Sequence, residues 1–290
     1  MIHLSFFKSR RFKILIAACL LCGLALGAWA FWIEPNRLVV KQTEIKLPGW
    51  PESLNRLRIV AISDLHVGSL YITLDKLERV VETINAAKPD IVVLLGDYVI
   101  QDVVGGRFIE PEVFAEKLKA LRAPGGVVAV LGNHDWWYDA PRVRRALEQA
   151  GMHVLEDEAV PIQHRGQVLW LAGLVDLWKG KPDIEKAMSQ VPQGAPMIML
   201  THNPDIFPQV PPRVSLTVAG HTHGGQVNLP FVGRLVVPSQ FGQRYAIGHI
   251  QENKRHLFVT PGIGTSIFPV RFRVPPEISV VTLVAQPASD

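Results

Sequence analysis

Five short apolar runs, Leu57–Ile62, Ile91–Leu95, Val127–Leu131, Met197–Leu200 and Leu216–Ala219, each stop at a cluster containing Asp, Asn or His. Runs of this length, apolar throughout and bounded by polar residues, read as buried strands ending in loops. Helical spacing lies between them. Leu74, Leu77, Val80, Val81 and Ile84 fall on one face of a helix over Thr73–Ala87, with Thr73 as its N-cap. Glu112–Leu121 reads as a second helix. Asp139–Ala150 reads as a third, with an acidic cap and Gly151 as its stop, and Asp183–Ser189 as a short fourth. Val160–His164 and Val168–Ala172 form a hairpin around Arg165-Gly166, and strand-like runs recur at Tyr245–Ile250, Leu257–Thr260 and Ile278–Val284. The pattern is that of one α/β domain with mixed sheets over residues 55–290. Open α/β sheets place ligands at the carboxyl ends of their strands, so clusters distant in sequence can meet there.

Ahead of that domain, residues 14–33 read ILIAACLLCGLALGAWAFWI, 20 residues without a charge. As a helix rising about 1.5 Å per residue this run spans roughly 30 Å, the thickness of a bilayer's hydrocarbon core. Trp29 and Trp32 sit near its far end, where amphipathic rings favour the interface. Lys8, Arg10, Arg11 and Lys13 precede it in a tail, residues 1–13, that has no acid. These four account for the whole formal net charge of +4, so the rest of the chain is balanced. The positive-inside rule puts that tail in the cytoplasm. The expectation is a single-pass anchor in the inner or cell membrane, a connecting segment over residues 34–54 with an edge strand at Val39–Leu47, and a domain outside the cytoplasm. Two alternatives stay open. Ala28-Trp29-Ala30 has the small-x-small form of a signal cleavage site, and Ser9-Arg10-Arg11 resembles part of a twin-arginine export signal. A domain facing the cytoplasm is the other, and it runs against the charge rule.

The polar clusters supply Asp64, His66, Asp97, Asn133, His134, His202, His221 and His223. Carboxylate, carboxamide and imidazole donors suit zinc, manganese or iron. Asp64 and His66 are two apart, as are His221 and His223, a spacing that can aim both members of a pair at one ion from a loop. Cys19 and Cys22 are the only cysteines, and both lie in the apolar run. A disulfide scaffold, a cysteine nucleophile and a thiolate zinc site are therefore excluded from the remainder. With only Asp64 and Asp97 as anionic ligands, two divalent ions would leave net positive charge, which suits an anionic phosphate ester.

Asp64-x-His66, Gly96-Asp97, Gly132-Asn133-His134-Asp135, His202 and Gly220-His221-x-His223 resemble the complete, ordered signature of the calcineurin-like metallophosphoesterases. Pro261-Gly262-Ile263-Gly264 through Arg271 and Pro276-Glu277 also resemble a bacterial membrane-associated branch that includes phosphodiesterases and lipid-precursor pyrophosphatases. The resemblance implies a two-sheet sandwich flanked by helices. It implies two divalent ions, one held by Asp64, His66, Asp97 and His223 and the other by Asp97, Asn133, His202 and His221, with Asp97 bridging. It places His134 near the leaving group or a phosphate oxygen, and Asp135 where it orients the His134 ring or caps a turn. The expected activity is hydrolysis of a phosphodiester or pyrophosphate, in an envelope or lipid-linked substrate, by metal-activated hydroxide. A nucleotide phosphodiesterase or nuclease is the alternative enzyme. The balanced charge and the lack of a dense Lys/Arg run count against polynucleotide binding. A catalytically silent metal-bound membrane scaffold is the alternative outside the enzymes. Trp136, Trp137 and Tyr138 are candidates for a substrate groove, for a membrane contact or for ordinary packing, and Arg271 for a phosphate contact, or for a surface or Glu277-paired arginine.

Overall fold

A computed structural model describes residues 10–101 and 103–286; most of the basic tail therefore lies outside the described residues. The described residues open with one helix, α1 (Arg10–Ala28), with no buried residue. It widens into a π turn at Trp29–Ile33 and closes as a short α2 (Glu34–Asn36), where Glu34 and Pro35 become buried. The continuous helix over Arg10–Asn36 is long and apolar enough to cross a membrane.

Two six-stranded sheets follow. The first has the order β1 (Val39–Pro48), β14 (Glu277–Gln286), β2 (Leu57–Ile62), β3 (Ile91–Leu95), β4 (Val127–Val130) and β5 (His153–Val154). From β2 to β5 all pairs are parallel, β14 is antiparallel to β2, and β1 is parallel to β14. The second sheet has the order β12 (Gly248–Glu252), β13 (Arg255–Val259), β9 (Leu216–Ala219), β8 (Met197–Leu200), β7 (Gln167–Gly173) and β6 (Glu158–His164). Its four middle strands are parallel and its two edge pairs antiparallel.

The period-2 alternation of strand side chains explains how both faces of the first sheet are used. Ile59, Ala61, Ile91, Val93, Leu95, Val128 and Val130 point inward and meet Leu169, Leu171, Ile198, Leu200, Leu216 and Val218 of the second sheet. Their neighbours Val60, Ile62, Val92, Leu94, Val127 and Ala129 point outward. There they are covered by α3 (Leu74–Ala86), α4 (Pro111–Leu118) and α6 (Ala140–Gln149). The short α7 (Ile184–Met188) and the 3₁₀ turn at Pro204–Gln209 cover the outer face of the second sheet. This is the sandwich flanked by helices that the resemblance implied.

The connecting segment does more than connect. The expected edge strand forms as β1, and Ile45, Leu47, Trp50 and Leu54 are buried in the core between the sheets. One expected strand is corrected. Gly242–Tyr245 is a 3₁₀ turn, and the strand begins only at Gly248. Tyr245 is buried there against Phe207 and Phe241, a use of an aromatic that resembles strand burial in sequence. A helix that no apolar spacing announces, α5 (Asn133–Tyr138), follows β4 directly.

Candidate metal centre

β2, β3 and β4 in one sheet and β8 and β9 in the other run parallel within their sheets, and all five end at the same side of the sandwich. Their C-terminal loops carry Asp64 and His66, Asp97, Asn133 and His134, His202, and His221 and His223. The side chains converge and are almost wholly buried. Donor atoms of Asp64, His66 and His223 lie within 4.8 Å of one another, as do those of Asp97, His202 and His221, and those of His66, Asp97 and His134. The first two groups are joined through Asp97, whose Oδ2 is 3.2 Å from His202 Nε2, 3.8 Å from His66 Nε2 and 4.0 Å from His134 Nε2.

The backbone at these loops is unusual. Asp64, His66, Asp97, His221 and His223 all have positive φ, between 42° and 69°. This left-handed region costs a residue with a Cβ on the order of 1 kcal/mol or more, and such strain concentrates at functional sites. Glycines let the loops approach. A Cβ on Gly132 would lie 2.2 Å from Asp97 Oδ1, and one on Gly220 would lie 1.9 Å from Ser63 Oγ.

Main-chain carbonyls fix two of the rings. His202 Nδ1 donates to Leu95 O at 2.6 Å, and His66 Nδ1 donates to Val99 O at 3.2 Å. Each ring then turns Nε2 toward the shared centre, the orientation in which an outer hydrogen bond prepares a histidine to bind a metal. His66 Nε2 faces His223 Nε2 at 3.4 Å, and His221 Nδ1 faces His202 Nε2 at 3.1 Å. Burial lowers the pKa of His66 to about 4 and of His221 to about 3, and drives His223 well down, so these rings are neutral at pH 7. His202 differs: burial opposes its charge, but Asp97 outweighs burial and raises it to about 10. Burial likewise works against the Asp97 carboxylate, and the surrounding imidazoles, His202 foremost, overcome it and hold the group well below the usual range. Burial raises Asp64 to about 6.

Divalent ions fit this donor set. Asp64 Oδ1, Asn133 Oδ1, His221 Nε2 and His223 Nδ1 are buried without a hydrogen-bond partner. Such atoms are costly unless something engages them, and all four belong to residues of the expected ligand set.

Asp135 is fully buried and accepts four main-chain N–H bonds, from Gly132 at 2.9 Å, Asp97 at 2.8 Å, Tyr98 at 2.9 Å and Val99 at 3.1 Å. Its carboxylate caps the start of α5 and ties the β4 loop to the β3 loop. Burial raises its pKa to about 7, against the pull of those donors.

Arg271 takes none of the positions considered for it. It is fully buried and donates to the carbonyls of Pro261, Gly262, Gly264 and Val274, and no ion pair joins it to Glu277 among the described residues. The loop it holds lies under Asp64: Gly264 N donates to Asp64 O at 2.7 Å, and a Cβ on Gly262 would come within 2.8 Å of Asp64 Cβ.

Two residues near the centre escape a reading based on motifs. Asp176, just beyond β7, is buried with Oδ2 lacking a hydrogen-bond partner, and His202 and Asp97 act on it electrostatically. Its signal was another strand-end acid, but without a neighbouring Gly or His. Trp178 stacks edge-on against His221 at 4.4 Å, as Trp137 does against His134 at 4.6 Å. The two tryptophans are 6.4 Å apart and partly exposed, flanking the mouth of the centre.

The calcineurin-like phosphoesterase family model matches residues 57–225, which hold every one of these clusters. An uncharacterized metallophosphoesterase of Bacillus subtilis (strain 168), YkuE, is 32% identical over 280 residues, covering 96% of each chain. Phosphodiesterase YaeI of Escherichia coli (strain K12) is 29% identical over 254 residues, covering 82% of this chain and 90% of its own. A Danio rerio transmembrane protein with a metallophosphoesterase domain is 31% identical over 265 residues, covering 86% of this chain and 58% of its own. A strand-end cluster of nitrogen and oxygen donors, a two-sheet sandwich and these relatives agree: the chain belongs to the calcineurin-like phosphoesterases and is a metal-dependent phosphoester hydrolase.

Proposed function

We propose that the chain is a single-pass, membrane-anchored hydrolase of a phosphodiester or pyrophosphate bond in a lipid-linked or envelope substrate. The observation that carries the reading is the meeting of two His/Asp groups at Asp97 beside the span-length helix. Asp64, His66, Asp97 and His223 would hold one divalent ion, and Asp97, Asn133, His202 and His221 the other. The absence of thiolates and the mixture of imidazole and oxygen donors favour manganese, zinc or iron. When bound, the pair supplies Lewis-acid polarisation of the phosphoryl oxygens and acidifies a water molecule.

The remaining work falls to the chain. Asp64 and Asp97 bring too little negative charge to neutralise four positive charges, so the centre attracts an anionic phosphate. His134 Nε2 lies 4.0 Å from Asp97 Oδ2, at the edge of the donor set, and is assigned proton donation to the leaving oxygen. Asp135 is assigned the positioning of the Asp97 main chain through its N–H bonds. Trp137 and Trp178 shield the mouth from water and receive the organic part of the substrate.

The YaeI relative, named a phosphodiesterase, supports a diester over a monoester. The tryptophan pair favours one second reading, a nucleotide phosphodiesterase in which a planar base rests on those rings. The test is a panel of phosphomonoesters, phosphodiesters and nucleotide-linked lipid precursors, assayed with the full chain in detergent after chelation and reloading with each metal. Hydrolysis of diesters or lipid pyrophosphates that returns with metal supports the proposal. Turnover of nucleotides alone moves the assignment to the second reading, and no turnover with any metal rejects both.

A further inference from the structure

The end of the N-terminal helix is fastened to the domain. Arg271 N donates to Ala30 O at 3.0 Å, Tyr71 Oη donates to Phe31 O, and Lys76 Nζ donates to Asn36 O at 2.7 Å. Around that attachment the loops expose large apolar side chains. Leu70 adjoins Tyr71, and Ile267 and Phe268 adjoin Pro269, whose carbonyl also faces Tyr71 Oη at 3.4 Å. Val104 is bound to this group through its N–H to Ile267 O at 2.9 Å. A hairpin of β10 (Asn228–Leu229) and β11 (Gly233–Arg234) carries Phe231 and Val232 at its tip, with Phe231 fully exposed. The hairpin is joined to the same loops where Asn228 N donates to Phe272 O, one residue from Arg271.

A soluble surface seldom gathers so many large apolar side chains around one point. Cations stand there too. Arg234 lies in β11 and the exposed Arg273 two residues past Arg271, and neither has an acid within ion-pair distance among the described residues. Apolar side chains beside unopposed cations match the interface of an anionic bilayer.

We propose that this rim is a second membrane contact, resting in the headgroup region of the bilayer that the N-terminal helix enters. The inference rests on the membrane-anchored part of the proposed function. Helix and rim share one face, because the helix ends among the rim's own loops. The same loops adjoin the metal centre. Arg234 Nε donates to Gly224 O at 2.7 Å, next to His223, and Gln226 Nε2 donates to Ser266 O at 3.1 Å. Seating the rim would therefore hold the mouth of the centre at headgroup depth, where the phosphate of a lipid-linked substrate lies, and would fix the domain's tilt on its anchor.

The experiment uses the full chain in proteoliposomes of phosphatidylethanolamine and phosphatidylglycerol. Single cysteines carry an environment-sensitive fluorophore: native Cys22 within the helix, after Cys19→Ser, and, with Cys19→Ser and Cys22→Ser both in place, Phe231→Cys and Ile267→Cys on the rim and Gln193→Cys in the loop before β8, at the opposite end of the strands. Quenching by spin-labelled lipids is compared with quenching by aqueous iodide. The expected result is lipid quenching at positions 22, 231 and 267, and iodide quenching at 193 alone. If position 22 is quenched by lipid while 231 and 267 behave like 193, rim docking is overturned and the anchor stands. If position 22 is not quenched by lipid, both fall. Rim probes shielded from both quenchers, with disulfide cross-linking between Phe231→Cys chains, would assign the surface to a second copy and overturn the bilayer. Hydrolysis of bis(p-nitrophenyl) phosphate by the same samples reports separately on the phosphoesterase reading.

Discussion

The Asp97 carboxylate is divided between two tasks: Oδ1 accepts the His134 main-chain N–H at 2.9 Å, and Oδ2 faces His202, His66 and His134. A side chain that serves two metal positions should be irreplaceable at both. Asp97→Ala is expected to fold, to lose metal at both positions and to lose turnover; elemental analysis of the purified variant checks this, and two full equivalents of metal with normal turnover would remove the bridging role. His134 stands at the edge of the donor set, against Trp137. His134→Ala should keep its metal and lose roughly 10²–10⁴-fold in kcat, the usual worth of a general acid. The loss should shrink for substrates whose leaving group is a weak base; an equal loss across leaving groups would point to phosphate positioning. At this scale the site was largely legible in sequence, because His, Asp and Gly after a buried strand is a rare combination with few structural uses. Arg271 and Asp176 were not. Nothing in their local sequence says that a charged side chain will be buried: Arg271 is held by carbonyls of its own loop, which only the fold curls around it, and Asp176 faces His202 and Asp97 from distant loops.

Between residue and fold stand the strand-end loops, each shaped by its neighbours. Gly132 closes β4 where the β3 loop passes, and the Cβ of an alanine there would meet Asp97 Oδ1 at 2.2 Å and Asp97 N at 2.6 Å. Both contacts involve groups that the site holds in place, so relief by a small side-chain rotation is blocked. Gly132→Ala should cost about 1–3 kcal/mol, the usual range for overpacking, and weaken metal binding by displacing Asp97. Thermal unfolding with and without metal measures both effects; an unchanged Tm and full metal content would show that the two loops can part. The elements read best from sequence are those with continuous apolar runs, β2, β3, β8 and β9, because burial on both faces leaves one composition. Those read worst depend on remote contacts. The helix α5 has the sequence NHDWWY without helical apolar spacing, and it is started by the Asp135 carboxylate accepting Gly132 N–H. Tyr245 was read as strand because its burial comes from Phe207 and Phe241, not from pairing.

Across the whole molecule, the order of strands ties the two ends of the chain together. The last strand, β14, lies between β1 and β2, so the segment leaving the helix pairs with the C-terminal strand along ten residues. No local pattern encodes that pairing, which is why the sequence supported mixed sheets but not their order. The same closure bears on how the chain sits in a cell. Cleavage after Ala28-Trp29-Ala30 would cut inside the π turn, where Ala30 is buried and Trp29 Nε1 donates to Glu34 at 2.6 Å. A signal protease needs an extended, accessible segment, and removal of this one would also strip the Ala30 carbonyl from Arg271 N. The helix is therefore expected to stay attached, with the basic tail inside and the metal centre outside the cytoplasm. Protease treatment of osmotically opened cells with an intact inner membrane tests this through a C-terminal tag. A tag digested from a membrane-bound, full-length chain supports the arrangement. A tag protected until the inner membrane is broken would reverse the orientation, and a soluble product starting near Phe31 would show that the turn opens far enough for cleavage before the domain closes over it.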